Sequence, residues 1–257
     1  MSRPDLPPDS KHRTVEPIRA GVFDAITESL KKRWGFRHLW LGDSGMGKTI
    51  ANEALIEWLL KGRKSKVDLM ISIDDKNRWE AQYAGAYRIH PEHLRREPLK
   101  KDEPQNHVVF RGIAYQDKNG FAPFEEVSHE EVAAMTWDLV RLKPVTVCMN
   151  IDELADATNG NQAWTAPTMR HSYRKGRAVG ISVIATTQLP QQLPRESFGL
   201  SDSIGIFRLT SREAEYLKSY RVITNEDVER IANLGVGEWM LVRKSHPPDP
   251  NTYKLVV

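Results

Sequence analysis

An octapeptide at residues 42–49, GDSGMGKT, restricts the fold of this chain more than any other part of its sequence. It matches the pattern G-x-x-x-x-G-K-[ST], in which glycines let a tight loop turn its backbone N–H groups towards a polyphosphate. The lysine supplies a positive charge for the β- and γ-phosphates, and the threonine hydroxyl is a ligand for Mg²⁺. The motif predicts a site for ATP and Mg²⁺, and its residues are Gly42, Asp43, Ser44, Gly45, Met46, Gly47, Lys48 and Thr49.

The residues on either side of this loop favour a true phosphate site over a chance match to the pattern. Residues 38–41 (HLWL) predict a short buried strand, and residues 49–60 (TIANEALIEWLL) have the periodicity of a helix. A loop between a strand and a helix also places the partial positive charge of the helix N-terminus beside the anion. We expect one face of this helix to carry Ile50, Ala54, Leu55 and Trp58.

The composition is that of a globular protein with an ordinary core. The chain has 257 residues, of which 40% are hydrophobic and 28% charged, with a net charge of +3. No apolar run has the length of a membrane span, and the polar, proline-rich N-terminus is not a signal peptide. The single cysteine, Cys148, excludes a disulfide within one chain and fits a reducing cytoplasm, so we expect a cytoplasmic protein.

Strands alternate with helices along the chain, which predicts an α/β fold with a mostly parallel sheet flanked by helices. Residues 1–35 are expected to form an N-terminal arm and a helix, and residues 36–257 to form one ATPase domain. The predicted strands are 66–73, 107–111, 145–151, 181–187, 204–209, 238–243 and 252–257. The further predicted helices are 17–33, one around 79–86, 128–142 with a capping box, 211–220 and 225–233, while 95–105 and 116–124 are expected to be loops.

The apolar strand 145–151 ends in Asp152 and Glu153, about a hundred residues after the phosphate loop. An aspartate at such a strand end helps to hold Mg²⁺ in P-loop proteins. The adjacent Glu153 is placed to act as general base on the water that attacks the γ-phosphate. Ordinary capping of the next helix is the alternative interpretation of both residues.

A third group of polar residues lies between positions 170 and 188. The strand 181–187 delivers Gln188 to the carboxyl edge of the sheet, where it is predicted to contact the γ-phosphate or the attacking water. Upstream, Arg170, Arg174 and Arg177 lie on a predicted helix. In a ring, one of them would reach the neighbouring subunit's γ-phosphate as an arginine finger, with Arg174 and Arg177 preferred. A solvated or DNA-facing basic helix is the alternative.

These three groups, in this order, resemble the FtsK/HerA superfamily of ring-forming DNA-translocating ATPases. The run GRAVGISVIATTQLPQQLP is the most specific match, and LGVGEWMLVRK resembles the family's closing strand. The resemblance covers residues 36–257 approximately. It implies a RecA-like core of the additional-strand, catalytic-glutamate type, with an extra strand between the P-loop strand and the Asp-Glu strand. It also implies a homo-hexameric ring with ATP between subunits and double-stranded DNA in the pore.

Three functions remain open from the sequence. A chain of this size with only the ATPase domain is most similar to the genome-packaging ATPases of tailless viruses, which work beside a capsid vertex or membrane partner protein. DNA transfer and repair-type end processing are other settings for the same translocase activity. The alternatives are an assembly or secretion ATPase similar to the Zot proteins, which moves no DNA, and a nucleotide-dependent switch that binds a protein partner.

Overall fold

A computed structural model describes residues 34–60, 67–73, 86–87, 107–110, 116–117, 120–121, 128–142, 144–158, 163–243 and 252–254, together with Val22, Ile26 and Thr27. The predicted arm, most of the predicted helix 17–33 and nearly all of the predicted helix 79–86 lie outside these residues. Ala86 is described, and it belongs to a strand. The boundary predicted between residues 35 and 36 stays a prediction.

The described residues include one nine-stranded sheet, in the order β11-β10-β9-β1-β8-β7-β2-β4-β3. All pairings from β9 to β3 are parallel, and β10 runs antiparallel to both β9 and β11. The mostly parallel sheet is therefore confirmed. Its strands are β1 Arg37–Leu41, β2 Leu69–Ile73, β3 Ala86–Tyr87, β4 His107–Phe110, β7 Val147–Ile151, β8 Ile181–Thr187, β9 Ser203–Phe207, β10 Glu238–Arg243 and β11 Thr252–Lys254.

A separate antiparallel pair lies in the segment expected to be a loop: β5 is Gln116–Asp117 and β6 is Gly120–Phe121. Two-residue strands are too short to show the alternation of apolar and polar residues by which strands are identified in a sequence. The prediction of an irregular loop was therefore wrong at these four residues.

Six α-helices lie with both ends within the described residues. Ser128 and Glu131 form the predicted capping box at the start of α2, since the hydroxyl of Ser128 accepts from the N–H of Glu131 and the carboxylate of Glu131 accepts from the N–H of Ser128. The helices are α1 Lys48–Leu60, α2 His129–Leu142, α3 Pro167–Lys175, α4 Arg195–Leu200, α5 Ser211–Ser219 and α6 Asn225–Ala232.

The sheet separates two apolar cores, and alternate residues of β1 point into different ones. Leu39 and Leu41 belong to the core that also holds residues of α2, α3, α5 and α6. Trp40 belongs to the core on the side of α1. The strand is therefore buried on both faces, as expected for a central strand of a parallel sheet.

Helix α1 is buried on more sides than its sequence periodicity predicts. Ala54 and Leu55 are buried as expected, but Ile50 and Trp58 are only half-buried. Val22 and Ile26, which precede β1 in the sequence, belong to the same apolar core as this helix. Further buried residues of this helix are Ala51, Asn52, Ile56 and Leu59.

Gly205 of β9 makes room for the largest side chain of the α1-side core. It is the register partner of Trp40, and a Cβ atom added to it would lie 2.1 Å from Cζ3 of that indole. The indole in turn packs edge-on against Trp239, with ring centroids 5.1 Å apart. A side chain at position 205 therefore cannot coexist with the packed Trp40 ring.

We expect Gly205→Ala to lower the free energy of unfolding by about 1–3 kcal/mol, because overpacking displaces Trp40. Urea denaturation followed by tryptophan fluorescence measures this. Gly199→Ala is the matched control, since an added Cβ there meets nothing within 4 Å and the residue lies in α4. The control should be neutral or slightly stabilising. Equal stability of the two variants would contradict the packing argument.

His38 is a titratable side chain in the same core, and it is fully buried. Its Nδ1 atom lies 2.7 Å from Oγ of Ser203, and its ring packs edge-on against Trp40. Burial lowers the pKa of His38 from 6.5 to about 3. The unfolded chain therefore binds one more proton than the folded chain between these two pH values, so stability falls as the pH falls through this window.

We expect His38→Asn to make stability less sensitive to acid. Between pH 7.5 and 5.5, protonation of unfolded His38 lowers the free energy of unfolding of the wild type by about 1.4 kcal/mol, and the variant should lack this contribution. Urea denaturation at both pH values measures the difference. His171→Asn, at an exposed position, is the control. An unchanged pH dependence in His38→Asn would show that the buried imidazole does not cause it.

Candidate nucleotide site

The phosphate-loop motif forms the connection between β1 and α1, as its sequence predicts. Three of its glycines have positive φ, namely Gly42 at 148°, Gly45 at 77° and Gly47 at 104°. Gly42 also lies so close to β9 that an added Cβ would be 2.5 Å from Cβ of Phe207. These glycines are needed for the backbone to close into a loop that presents N–H groups to an anion.

Lys48, the first residue of α1, turns its ammonium group back over the loop. Its Nζ donates to the carbonyl oxygens of Gly42, at 2.5 Å, and of Asp43, at 2.7 Å. The side chain is buried, with 8% of the residue exposed. A positive charge is therefore held inside the concavity of the loop, where the β- and γ-phosphates are predicted to bind.

Two backbone hydrogen bonds brace the loop from the β9 side of the sheet. The N–H of Asp43 donates to the carbonyl of Arg208 at 2.9 Å, and the N–H of Gly237 donates to the carbonyl of Met46 at 3.1 Å. Burial and then Glu213 raise the pKa of the Asp43 carboxyl, against the opposing effect of Arg208 and Lys48. Sequence reasoning missed these braces, because no local pattern indicates which distant backbone group meets a loop.

The strand order brings the predicted catalytic residues to the same edge as the phosphate loop. β8 lies between β1 and β7 and is parallel to both, with Leu41 opposite Thr187 and Ile151 opposite Ala185. The carboxyl ends of the three strands therefore lie side by side. The extra strand implied by the family resemblance is confirmed.

Asp152 follows β7 directly and is buried, with 5% of the residue exposed. The hydroxyl of Thr186, on β8, donates to its backbone carbonyl. Thr49 lies in the first turn of α1, next to Lys48. A hydroxyl and a carboxylate oxygen are hard ligands of the kind that Mg²⁺ prefers, with phosphate oxygens and water completing its shell. The chemistry of these two side chains therefore fits the predicted metal.

Glu153 is half-buried and hydrogen-bonded to the end of β8. Its Oε2 accepts from the N–H of Gln188 at 3.2 Å, and Oε1 accepts from the N–H of Ala155 at 3.4 Å. Burial raises the pKa of the Glu153 carboxyl, and a hydrogen bond from the Thr187 side chain together with these backbone bonds opposes the rise. The carboxylate thus caps the short 3-10 helix Leu154–Ala157 and contacts β8 at the same time.

Gln188 lies where the sequence predicts, directly after β8, and its side chain is half-buried. The contact that the structure shows is made by its backbone N–H with the Glu153 carboxylate. The predicted base and the predicted phosphate-sensing residue are therefore joined by one hydrogen bond. The contact of the Gln188 side chain with phosphate or water stays a prediction.

Two of the three predicted arginines are engaged within the chain. Nε of Arg170 lies 2.6 Å from Oε1 of Glu196. Nη1 of Arg177 lies 2.8 Å from Oδ1 of Asp202, and its guanidinium lies over the Trp34 ring at 5.4 Å from the centroid. Each of these two arginines is therefore paired with an acidic residue of the same chain.

The structure does not bring the arginines to the phosphate loop of their own chain. Arg177 belongs to the 3-10 helix Gly176–Val179, which precedes β8, and its carbonyl accepts from the N–H of Gly35 ahead of β1. It therefore lies at the amino edge of the sheet, opposite the phosphate loop. Arg174 is exposed in the last turn of α3. A role in trans stays a prediction for both.

A surface cavity of about 340 Å³ lies between α2 and α3 rather than at the phosphate loop. Its lining includes Trp137, Asp138, Arg141 and His171, and none of the predicted site residues. We do not assign the nucleotide to it, because a polyphosphate is held in the shallow concavity of a P-loop and needs no deep apolar pocket.

Comparisons with known proteins support the fold. No family model and no curated protein matches the sequence. The genome packaging NTPase B204 from Sulfolobus turreted icosahedral virus 2, solved in complex with AMPPCP, is 16% identical, with a TM-score of 0.63 over 86% of this chain and 97% of that one. VirB4 of Thermoanaerobacter pseudethanolicus is 11% identical, with a TM-score of 0.54 over 84% and 90% of the two chains. The cytoplasmic domain of the Type VII secretion ATPase EccC from Thermomonospora curvata is 16% identical, with a TM-score of 0.51 over 85% of this chain and 25% of that one.

These likenesses confirm the α/β, RecA-like P-loop NTPase fold, which is the fold that the resemblance to the FtsK/HerA superfamily implies. At sequence identities of 11% to 16%, these likenesses show the fold alone. Within the described part of the chain, no helix combines the length and apolarity that crossing a bilayer requires.

Proposed function

We propose that this protein is an ATPase that couples ATP hydrolysis to translocation of double-stranded DNA, in viral genome packaging or DNA transfer. The observation that carries the proposal is the meeting of the phosphate loop, Asp152, Glu153 and Gln188 at one edge of the sheet. The likeness to a genome packaging NTPase, over 97% of its length, supports the choice of DNA as the substrate that is moved.

At the site, the loop N–H groups and Lys48 bind the β- and γ-phosphates. Thr49 and Asp152 would hold Mg²⁺, which when bound would neutralise negative charge on the phosphates. Glu153 orients the attacking water and accepts its proton on the carboxylate. The raised pKa of Glu153 favours this role, because a more basic carboxylate takes a proton more readily.

The hydrogen bond between Glu153 and Gln188 offers a route from hydrolysis to movement. When the carboxylate takes a proton, one of its oxygens becomes a donor and the bond that it accepts from the Gln188 N–H weakens. The segment after β8 begins at this residue, so its position responds to the state of the site. Hydrolysis of ATP would in this way change the position of residues 188–194.

The proposed assembly is a homo-hexameric ring in which each ATP lies between two subunits. An arginine of the neighbour then stabilises the transition state, as arginine fingers do when supplied in trans. Arg174 is the better candidate, because it is exposed, whereas Arg177 is paired with Asp202. DNA in the pore is held by lysine and arginine contacts to phosphates, and a capsid vertex or membrane protein anchors the ring in the host cytoplasm or virion.

A secretion or assembly ATPase is the second candidate function. The likeness to the EccC domain, named as a Type VII secretion ATPase, favours it, because the same core then moves protein rather than DNA. The two functions share the hydrolytic site and differ in the polymer that stimulates it.

We expect duplex DNA to stimulate the steady-state ATPase rate, and the stimulation to fade with salt. The physical reason is counterion release: a protein that neutralises 6–10 phosphates loses about 10³–10⁵ in affinity between 50 and 200 mM salt. The measurement is ATP turnover with and without a long duplex at these two salt concentrations. Turnover that ignores DNA at both would contradict translocation and favour the secretion or assembly function.

We expect Glu153→Gln to lower the hydrolysis rate about 10²–10⁴-fold while ATP still binds, because the amide cannot accept the proton of the attacking water. Single-turnover hydrolysis and filter binding of labelled ATP separate the two effects. Glu226→Gln is the matched control, because it makes the same chemical change at an exposed glutamate in α6. A normal rate in Glu153→Gln would show that another group is the base.

A further inference from the structure

Three buried polar side chains form a hydrogen-bonded chain across the layer between α1 and the sheet. Nδ2 of Asn52 donates to Oδ1 of Asn150 at 2.8 Å, and Nδ2 of Asn150 donates to Oγ of Ser72 at 3.1 Å. All three residues have no exposed surface. These two hydrogen bonds therefore connect α1 to β7, and β7 to β2.

The surroundings of this polar chain are apolar. Leu55 on α1, together with Met70, Cys148 and Ile184 on three neighbouring strands, belongs to the same core. Burial of an amide costs free energy unless its hydrogen bonds are made, and apolar side chains of similar volume would fill such a layer without that cost. The stability of the fold therefore does not explain why two asparagines occupy these positions.

Hydrogen bonds supply what apolar contacts lack, which is direction. The free energy of apolar packing depends on buried area and has no preferred direction. A hydrogen bond, by contrast, weakens steeply when the angle at its donor hydrogen departs from linear. The bond between Asn52 and Asn150 therefore restricts the position of α1 along β7 more tightly than the surrounding core does.

The position of this bond relates it to the proposed metal ligands. Asn52 lies three residues after Thr49, on the same side of α1 about one turn further on. Asn150 lies two residues before Asp152, and alternate residues of a strand share a face. The bond thus joins the two elements that carry Thr49 and Asp152, at the level directly beneath them.

We propose that Asn52 and Asn150 are positioning residues for the magnesium site, and that their hydrogen bond sets the spacing between Thr49 and Asp152. Both asparagines have no exposed surface, so they would act through Thr49 and Asp152 rather than by contact with the nucleotide or the metal. The inference rests on the proposed function in one respect, namely that these two ligands hold Mg²⁺ beside ATP.

The first test is Asn150→Val in the full chain, with binding of the fluorescent analogue mant-ATP measured in EDTA and in a Mg²⁺ titration. Substitution of a residue that orients metal ligands typically lowers metal affinity 10–100-fold. We therefore expect the Mg²⁺ concentration at half-maximal binding to rise about tenfold. Binding in EDTA should be unchanged, because the phosphate loop and Lys48 are intact.

The double variant Asn52→Ala/Asn150→Val, which nearly keeps the total side-chain volume, guards against a folding defect. The single variant leaves the Asn52 amide buried without its partner, whereas the double variant removes both amides and leaves Ser72 as the remaining member of the polar chain. We expect the double variant to unfold at a higher temperature than the single variant, because no amide is left buried without its partner. Its loss of Mg²⁺ affinity should equal that of the single variant, since both break the same hydrogen bond.

Cys148→Ala is the matched control. Cys148 lies on the same face of β7, two residues further from Asp152, in the same core and fully buried. Its replacement removes packing beneath α1 without touching the polar chain. We expect the Mg²⁺ dependence of nucleotide binding to stay at the wild-type value.

A parallel loss of binding in EDTA and in Mg²⁺, or a wild-type Mg²⁺ dependence in a double variant that folds normally, would overturn the proposal. Its failure is distinguishable from failure of the proposed function. An ATPase rate that does not change when DNA is added contradicts translocation, but it does not affect the interpretation of the mant-ATP binding experiment. A wild-type protein that binds mant-ATP equally with and without Mg²⁺ overturns the metal assignment and this inference together.

Discussion

The parallel hydrogen bonding of β8 to both β1 and β7 is the interaction on which the site depends. Neighbouring strands lie about 4.8 Å apart, so the phosphate loop and the Asp152 segment begin about 10 Å from each other. A polyphosphate with its metal ion fits a separation of that size. The strand between them ends in Thr187 and Gln188, which reach the Glu153 carboxylate from the side. The pairing of β8 with β1 and β7 thus sets the distance between the phosphate loop and Asp152, and it places the end of β8 between them.

Hydrogen bonds position the phosphate loop and α1 relative to the three strands β1, β8 and β7. The carbonyl of Arg208 and the N–H of Gly237 brace the phosphate loop on one side. On the other side, Asn52 and Asn150 connect α1 to β7 beneath Thr49 and Asp152, the proposed metal ligands. Backbone and amide hydrogen bonds suit this task, because their energy depends on angle as well as distance. The loop and the carboxylates are therefore positioned before any ligand arrives, which lowers the cost of binding.

Several elements of the sheet could be predicted from the sequence because they are long and strongly patterned. β8 and β10 have the predicted bounds, and the capping box of α2 lies at Ser128 as its motif indicates. The predictions failed where the signal is not local. The buried face of α1 depends on Val22 and Ile26 from elsewhere in the chain, and the short β5–β6 pair has no period to detect. No local pattern indicates what Asn150 contacts, since its partner Asn52 is 98 residues away.

The sequence by itself determined the predicted chemistry of the site, because the residue types of the phosphate loop and of the Asp152–Glu153 pair are those that binding of phosphate and Mg²⁺ would require. It also determined the alternation of strands and helices. The tertiary structure decided which of these residues meet. Strand order placed β8 between β1 and β7, joined Glu153 to Gln188, and put Arg177 at the opposite edge beside Asp202. Such contacts depend on pairings between residues far apart in the chain, and the free energy of those pairings is a property of the whole packed sheet rather than of any local segment.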